Sequence, residues 1–235
     1  LMKVFYYQET ITFDKVLAFA GINLTLLGLD TVKGRSWKER REAVDINQIS
    51  RVDWGALWSA KNDHLEYQIS QLGQKHPLIR ESFSYYIGLG ETSIQIVNSL
   101  SLDNVTKVVA HRRIDKDDTV FELYNPLNLV IDVPVRDMAE YFKNSFFNGM
   151  DISQELNYYL LYGQLSHEEY LLFLARMLYP TYYFDLYEDI ISGKESDEAL
   201  KKITDRVDEF EQIIKNIYKY YKSFLNIAPI EWLEN

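Results

Sequence analysis

The sequence predicts a mainly helical α+β fold in which a small β ribbon is embedded among many helices. Short runs rich in Val, Ile and Leu at residues 105–110 and 127–131 indicate strands on either side of a polar loop. From residue 135 onward, apolar residues recur at helical spacing. Strands and helices do not alternate along the chain, so a parallel sheet is not expected.

The N-terminal part is predicted to begin with a strand and a helix. Residues 2–8 are rich in Val, Phe and Tyr, which is typical of a strand, and residues 13–21 have a helical pattern. The charge-dense stretch 33–51 indicates a loop and a short exposed helix. Asp53 is a suitable N-cap for a helix that reaches about residue 72. One apolar stripe is predicted along that helix, formed by Trp54, Leu57, Trp58, Leu65 and Ile69.

Glycines are predicted to divide the next segment of the chain into two helices. Pro77 starts it, and Gly88 and Gly90 indicate a turn between two helices within residues 78–99. Glu91 would then accept backbone amides at the start of the second helix. A third strand is expected at residues 119–123, after the polar loop.

The C-terminal part is predicted to be helical throughout. Ser166 and Glu169 have the spacing of a capping box, and Pro180 and Gly193 end helices. The expected helices cover residues 136–147, 153–162, 170–179, 182–191 and 196–225. One face of the last helix is expected to be apolar, with Ile203, Val207, Phe210, Ile214, Ile217 and Tyr221.

Composition excludes several classes of function. A net charge of -10 at pH 7 argues against nucleic acid or an anionic membrane as the main partner. The absence of cysteine excludes disulfides, thiolate metal sites and thiol catalysis, and the 4 histidines lack the HExxH spacing of zinc enzymes. No apolar run approaches about 18 residues, so no transmembrane segment is expected. The 18 tyrosines favour amphipathic helix faces in the core, with a partner-docking surface as the alternative.

Residues 108–118 have the shape of a kinase catalytic loop without its chemistry. A short apolar strand runs into a polar loop that opens with His111. A kinase carries an aspartate two residues after this histidine and an asparagine five residues further on, which orient the substrate hydroxyl and hold a metal ion. Arg113 and Asp118 occupy those positions. A permanently charged guanidinium cannot accept a proton, so the loop indicates a phosphotransferase site whose chemistry has been removed.

The residues in 81–95, 131–142, 174–185 and 231–233 together resemble the YutH branch of bacterial spore coat proteins. That branch is similar to the CotS group, whose fold is the aminoglycoside phosphotransferase and choline kinase type of protein-kinase-like fold. The resemblance implies a helical kinase-like large lobe at residues 53–235. It implies a hinge remnant and a poorly matching segment at residues 1–52, with most of the small lobe missing. A leucine before Met2 is unusual for a natural start and indicates a fragment.

The resemblance gives roles to residues of the polar loop. It implies that His111 is structural, packing beneath the loop and bonding backbone, rather than catalytic. Arg113 stands at the position of the catalytic base. Two interpretations of its side chain remain, an anion site for a phosphorylated partner or a salt bridge to Asp115, Asp117 or Asp118.

The acidic and amide residues of this region also allow more than one interpretation of their role. Asp118 falls where a metal-holding asparagine would be, and either ligates Mg²⁺ or belongs with Asp115 to a solvated acidic run. Asp132 ends an apolar strand as a metal-chelating aspartate does, yet the resemblance favours a former substrate-side or turn-capping residue. The chelating position then falls near Asn125. Asp137, early on a helix, is implied to be structural.

These observations predict a non-catalytic, pseudokinase-like structural or assembly protein of the bacterial endospore coat. Its expected partners are other spore coat proteins, and neither a cofactor nor a metal is expected. Its expected location is the spore coat, after synthesis in the mother-cell cytoplasm. The alternative is an ATP-dependent phosphotransferase for a sugar, an aminoglycoside or a choline-like substrate. That enzyme would use Mg-ATP, with Asp115 or Asp132 in displaced roles.

Overall fold

A small β ribbon and many helices make up the fold, as the sequence predicts. The computed structural model describes residues 11–20, 50–72, 75–102, 105–114, 123, 125, 127–222 and 230–234. In chain order the elements are α1 (Phe13–Ala20), α2 (Trp54–Leu72), α3 (Pro77–Asn98), β1 (Val108–His111), β2 (Leu129–Asp132), α4 (Val135–Phe147), α5 (Ser153–Tyr162), α6 (His167–Leu178), α7 (Thr181–Ile191), α8 (Lys201–Thr204), α9 (Val207–Lys222) and α10 (Glu231–Glu234). A 3₁₀ turn at Asp197–Leu200 precedes α8.

The β ribbon is antiparallel, and its register places Val108 opposite Asp132 and His111 opposite Leu129. Ser50 forms a parallel bridge with Ile131, and the Arg51 amide donates to the Ile131 carbonyl at 2.8 Å. Both strands flanking the polar loop are therefore confirmed. The strand predicted at residues 2–8, the short helix predicted within 33–51, and the strand predicted at 119–123 fall outside the described residues or almost entirely so.

Helix α2 is confirmed, but its buried face differs from the predicted stripe. Leu57 is 43% exposed, whereas Trp54, Trp58 and Leu65 are buried. Asn62 is also buried, and the donation of its side-chain amide to Glu91 Oε1 at 2.8 Å offsets the cost of burying it. The inward face thus includes a polar position that a search for apolar spacing does not find.

The predicted turn at Gly88 and Gly90 is wrong, because α3 is one continuous helix. Gly90 is present for close packing: a Cβ there would lie 2.8 Å from Asn62 Nδ2. Glu91 therefore does not start a second helix, and instead accepts the hydrogen bond from Asn62. Burial of this helix outweighs the roughly 1 kcal/mol by which a helical glycine is less favourable than alanine.

Helices α4 to α7 lie close to their predicted bounds. The capping box is present: Ser166 Oγ accepts from the Glu169 amide at 3.1 Å, and Glu169 Oε2 accepts from the Ser166 amide at 3.0 Å.

The single helix predicted over residues 196–225 is wrong, since a turn at Asp205 and Arg206 separates α8 from α9. At this turn the Arg206 guanidinium lies 3.9 Å from the Phe146 ring centroid and donates to the Phe146 carbonyl, which fixes the break.

The chain divides into two compact units. Unit 1 contains Leu1–Trp54, Ser101–Ser145 and Asp151–Glu169, and unit 2 contains Gly55–Leu100, Phe146–Met150 and Tyr170–Asn235. In unit 1 the Phe13 ring packs 5.9 Å from Phe142 and 6.1 Å from Tyr158. The prediction of a helical lobe at 53–235 after a hinge remnant at 1–52 stays a prediction.

Aromatic stacking dominates the core of unit 2. The Tyr86 and Tyr183 rings stack at 3.8 Å, and Phe147 stacks on Tyr182 at 4.0 Å. Tyr183 and Phe184 are almost fully buried, as expected for aromatic residues of the core, whereas Tyr158 of unit 1 is 51% exposed, so the expected core role does not extend to it. Within the described part of the chain, no helix combines the length and apolar character needed to cross a membrane.

Candidate functional site

His111 lies at the end of β1 and is held by Asp137 in the first turn of α4. Its Nδ1 lies 2.6 Å from Asp137 Oδ2, and its backbone amide donates to Asp137 Oδ1 at 2.9 Å. The other ring nitrogen, Nε2, lies 3.0 Å from the Leu123 carbonyl oxygen. Because a carbonyl can only accept, Nε2 must carry a proton, and both ring nitrogens donate when the imidazole is charged.

The electrostatics of this pair favour the charged imidazolium. Burial is the largest single influence on His111 and acts against the charged form. The hydrogen bond to Asp137, the charge of Asp137 and the Leu123 carbonyl together outweigh it, so the pKa of His111 is raised. The side chains are 0% and 2% exposed, so the result is a buried imidazolium–carboxylate ion pair.

Asp132, the last residue of β2, is fully buried and accepts hydrogen bonds on both carboxylate oxygens. Oδ2 accepts from Trp54 Nε1 at 3.1 Å and from Arg136 Nη1 at 2.6 Å. Oδ1 accepts from the Val133 amide at 2.8 Å. The strand ends and α4 begins within three residues, so Arg136, the second residue of α4, can reach back to Asp132.

Arg136 connects this carboxylate to the end of β1. Its Nε donates to the His111 carbonyl at 2.8 Å, and its Nη2 donates to the Arg112 carbonyl at 3.3 Å. Two acids, Asp132 and Asp137, therefore face two bases, His111 and Arg136. We call these four residues the buried charge cluster. Its opposite charges balance, which is the condition under which ionised groups persist in a protein interior.

The start of the polar loop is fixed by Asn128, which lies in the turn just before β2. The Arg113 amide donates to Asn128 Oδ1 at 2.9 Å, and Asn128 Nδ2 donates to the Arg113 carbonyl at 2.8 Å. Arg113 itself is exposed. Asn125 Oδ1 accepts from the Leu127 amide at 3.1 Å, as in a side-chain-closed turn. Asp115, Asp117 and Asp118 lie outside the described residues.

The structure thus brings His111, Asp137 and Asp132 into one cluster and leaves Arg113 on an exposed loop start. Sequence reasoning missed Arg136, Trp54 and Asn128. The spacing of four between Asp132 and Arg136 was the one available signal for the ion pair. Trp54 bonds Asp132, 78 residues away in the sequence, and Asn128 bonds Arg113, 15 residues away. No local sequence pattern indicates contacts between residues so far apart. Chemically, the cluster holds the ends of both strands and the start of α4 to one another.

Comparison with known proteins assigns the chain to a class of bacterial spore coat proteins. The model of the family described as "Spore coat putative kinase YutH" matches residues 32–226, and the chain belongs to this family. The Endospore coat-associated protein YutH of Bacillus subtilis (strain 168) is 28% identical over 210 residues, which cover 81% of this chain and 60% of that protein. No solved structure matches the chain.

Two predictions are confirmed by this membership: the resemblance to YutH-type spore coat proteins and the location in the spore coat. The chain spans about 60% of the length of the curated relative that it matches. The kinase-like architecture and the roles given to His111, Arg113, Asn125, Asp132 and Asp137 stay predictions.

Proposed function

We propose that the protein is a non-catalytic, pseudokinase-like structural or assembly protein of the endospore coat, built on a kinase-like large lobe. The observation that carries this proposal is Arg113, at the place where phosphoryl transfer needs a proton acceptor two residues after His111. The Arg113 backbone is held on both sides by the Asn128 amide group, so the residue occupies a defined position. A guanidinium there repels a metal ion and cannot take the proton of an attacking hydroxyl.

The carboxylates of the buried charge cluster support the same conclusion. Mg²⁺ needs oxygen ligands with available lone pairs at short distance. Asp132 and Asp137 already accept protein hydrogen bonds on both of their oxygens. Binding of Mg-ATP by either residue would have to separate a buried ion pair with Arg136 or His111, so these residues do not fit the metal. We expect no cofactor at this site.

The coat role rests on membership of this spore coat family. The relative from Bacillus subtilis is named as endospore coat-associated, and we propose that other coat proteins are the partners of this chain. A first test is localisation. A fluorescent fusion of the chain should concentrate at the forespore surface of a sporulating cell, and a diffuse signal in the mother cell throughout sporulation would contradict the coat role.

Nucleotide binding tests the non-catalytic part of the proposal. We expect thermal unfolding of the chain to be unchanged by Mg-ATP, because a ligand that binds the folded state raises its apparent stability. The matched variant is Arg113→Asp, which puts a carboxylate at the base position. A saturable upward shift of several degrees in the wild-type chain, absent with ATP or Mg²⁺ alone, would overturn the proposal.

A phosphotransferase is the second candidate, because the family description contains the word kinase. It predicts release of ADP from Mg-ATP in the presence of a sugar, an aminoglycoside or a choline-like acceptor. Asp132→Asn should abolish that turnover if Asp132 has a displaced catalytic role, while circular dichroism checks that the variant is folded. Turnover in the wild-type chain that depends on Asp132 would favour the enzyme.

A further inference from the structure

The exposed side of α5, in unit 1, carries three large apolar side chains. Tyr158, Leu161 and Tyr162 are 51%, 58% and 66% exposed. Their spacing of three and four residues places them on one side of the helix. Single exposed apolar residues are ordinary on a protein surface, whereas a contiguous apolar cluster is typical of an interaction site. We call these three residues the α5 patch.

The two tyrosine rings of the α5 patch are held in place by other rings. The Tyr158 ring centroid lies 4.9 Å from that of Tyr162, and Tyr158 also meets the buried Phe13 ring edge to face at 6.1 Å. Phe13 in turn packs against Phe142 in the core of unit 1. Tyrosine has only two side-chain torsions, so little conformational entropy remains to be lost on binding. The patch is therefore a preformed contact surface.

Two carboxylates border the α5 patch. Glu155 lies three residues before Tyr158 and seven before Tyr162, so the three residues share one stripe of α5. Burial first, and then the charge of the exposed Asp14 on α1, raise the pKa of Glu155, while a hydrogen bond from Tyr141 opposes them. Because like charges disfavour each other, a cation placed beside Asp14 and Glu155 would stabilise both carboxylates.

The segment that contains α5 has no lysine or arginine to offset these acids. Between Lys143 and Arg176 the sequence contains four acidic residues, and His167 is its one basic side chain. Lys143 and Arg176 are themselves buried, at 1% and 4% exposure, and Lys143 forms an ion pair with Glu140 at 2.7 Å. On α1, Lys15 is half-buried, whereas the neighbouring Asp14 is exposed. An apolar surface with an acidic border is complementary to a cationic segment with apolar side chains, and tyrosine faces attract lysine and arginine.

We propose that the α5 patch is a docking surface for a basic amphipathic helix of a partner protein. The apolar face of the partner helix covers the patch, and its lysine or arginine side chains meet Asp14 and Glu155. A second copy of this chain is not the expected occupant, because a two-fold contact would bring the same carboxylates together and the chain has a net charge of -10. The proposal goes beyond the proposed function and uses none of the residues around Arg113. Failure of the binding test below would leave the localisation and Mg-ATP tests unaffected.

The test is fluorescence anisotropy with a labelled peptide of about 14 leucine and lysine residues, arranged so that a helix carries all of its leucines on one face. We expect saturable binding to the 235-residue chain with a dissociation constant of about 10–100 μM, weakened by salt, as suits a small surface contact. The same peptide with glutamate in place of lysine should not bind. A peptide of the same composition without an apolar face should bind at least about fivefold more weakly.

Matched variants connect binding to the α5 patch. Tyr162→Ser should weaken binding about tenfold, because tyrosine anchors carry much of the affinity of protein interfaces. Tyr67→Ser is the control, since Tyr67 is 68% exposed on α2 and belongs to unit 2, and its affinity should equal that of the wild-type chain. Asp14→Asn changes an exposed residue and should weaken binding several-fold at low salt, with no effect at about 0.5 M salt. Circular dichroism checks that all three variants are folded.

Four results would contradict the proposal. One is the absence of saturable binding of the leucine–lysine peptide up to about 1 mM. Another is equal binding of the lysine and glutamate peptides, which would mean that charge is not recognised. The third is equal affinity of the wild-type, Tyr162→Ser and Asp14→Asn chains, which would place the peptide elsewhere on this acidic protein. The fourth is a wild-type dimer in analytical ultracentrifugation that Tyr162→Ser separates, which would assign the surface to a second copy of the chain.

Discussion

Replacing Asp137 by asparagine should both destabilise the protein and reverse the pH dependence that His111 contributes to stability. In the wild-type chain the pair is buried, with a 2.6 Å contact between His111 Nδ1 and Asp137 Oδ2. Asparagine can still accept the His111 amide through its own Oδ1, but it offers no charge to the imidazolium. Removing one partner of a buried ion pair costs about 3–5 kcal/mol, and the retained acceptor places the cost of this variant at about 3 kcal/mol.

The sign of the pH effect follows from the raised pKa of His111. A histidine in the unfolded chain has a pKa of about 6.5. The stabilisation by the pair is therefore complete below that value and is lost as pH rises through the higher folded pKa. In Asp137→Asn both contributions of Asp137 are lost, and we expect burial and the charge of Arg136 to outweigh the Leu123 carbonyl and to favour the neutral imidazole. The variant should instead lose stability as pH falls below about 6.5.

Urea unfolding followed by circular dichroism, from about pH 5.5 to about pH 8.5, measures both effects. The control is Asp197→Asn, which removes the carboxylate from His76 in a pair that lies 2.7 Å apart but is 23% and 20% exposed. We expect a loss of about 1 kcal/mol or less there. An equal loss in the two variants, or an unchanged pH slope in Asp137→Asn, would refute the assignment of a buried ion pair.

The remaining predictions use the same unfolding assay. Gly88→Ala should stabilise α3 by about 0.5–1 kcal/mol, because open space surrounds the new methyl group. Gly90→Ala should destabilise it, because the methyl group would lie 2.8 Å from Asn62 Nδ2, and equal effects of the two changes would contradict this packing. Ser166→Ala should cost about 1 kcal/mol through loss of the α6 cap, and no loss would mean that the cap is not formed in solution. Arg136→Met should cost about 3–5 kcal/mol because it leaves a buried carboxylate without its cation, and a loss below about 1 kcal/mol would contradict that pairing.

Local signals in the sequence were sufficient for the parts of the fold that local chemistry controls. The capping box at Ser166, the two strands beside the polar loop, and helices α4 to α7 depend on residues within a few positions of one another, and all were predictable. The continuity of α3 was not, because Gly90 is explained by Asn62, which is distant in sequence. The break at Arg206 likewise depends on its contacts with Phe146, 60 residues away.

The candidate site shows the same division. His111, Asp132 and Asp137 were recognisable because each occupies a distinctive place at the end of a strand or the start of a helix. Their partners were harder to find, since Trp54 reaches Asp132 over 78 residues of sequence. The residues of the buried charge cluster at strand ends and helix starts could therefore be found from the sequence. The hydrogen-bond partners of their buried polar groups could be found only from the structure.

The presence of His111 and Asp137 has a structural explanation that does not involve catalysis. A domain is stable by only about 5–15 kcal/mol, and separating one buried ion pair costs about 3–5 kcal/mol. Loss of either member of the His111 pair, or of Arg136 beside Asp132, would thus consume a large part of that margin. Arg113 is exposed, and its backbone is held by Asn128, so a change of its side chain leaves no buried charge unpaired. The need to stay folded is therefore a sufficient explanation for the buried charge cluster, whatever residue stands at position 113.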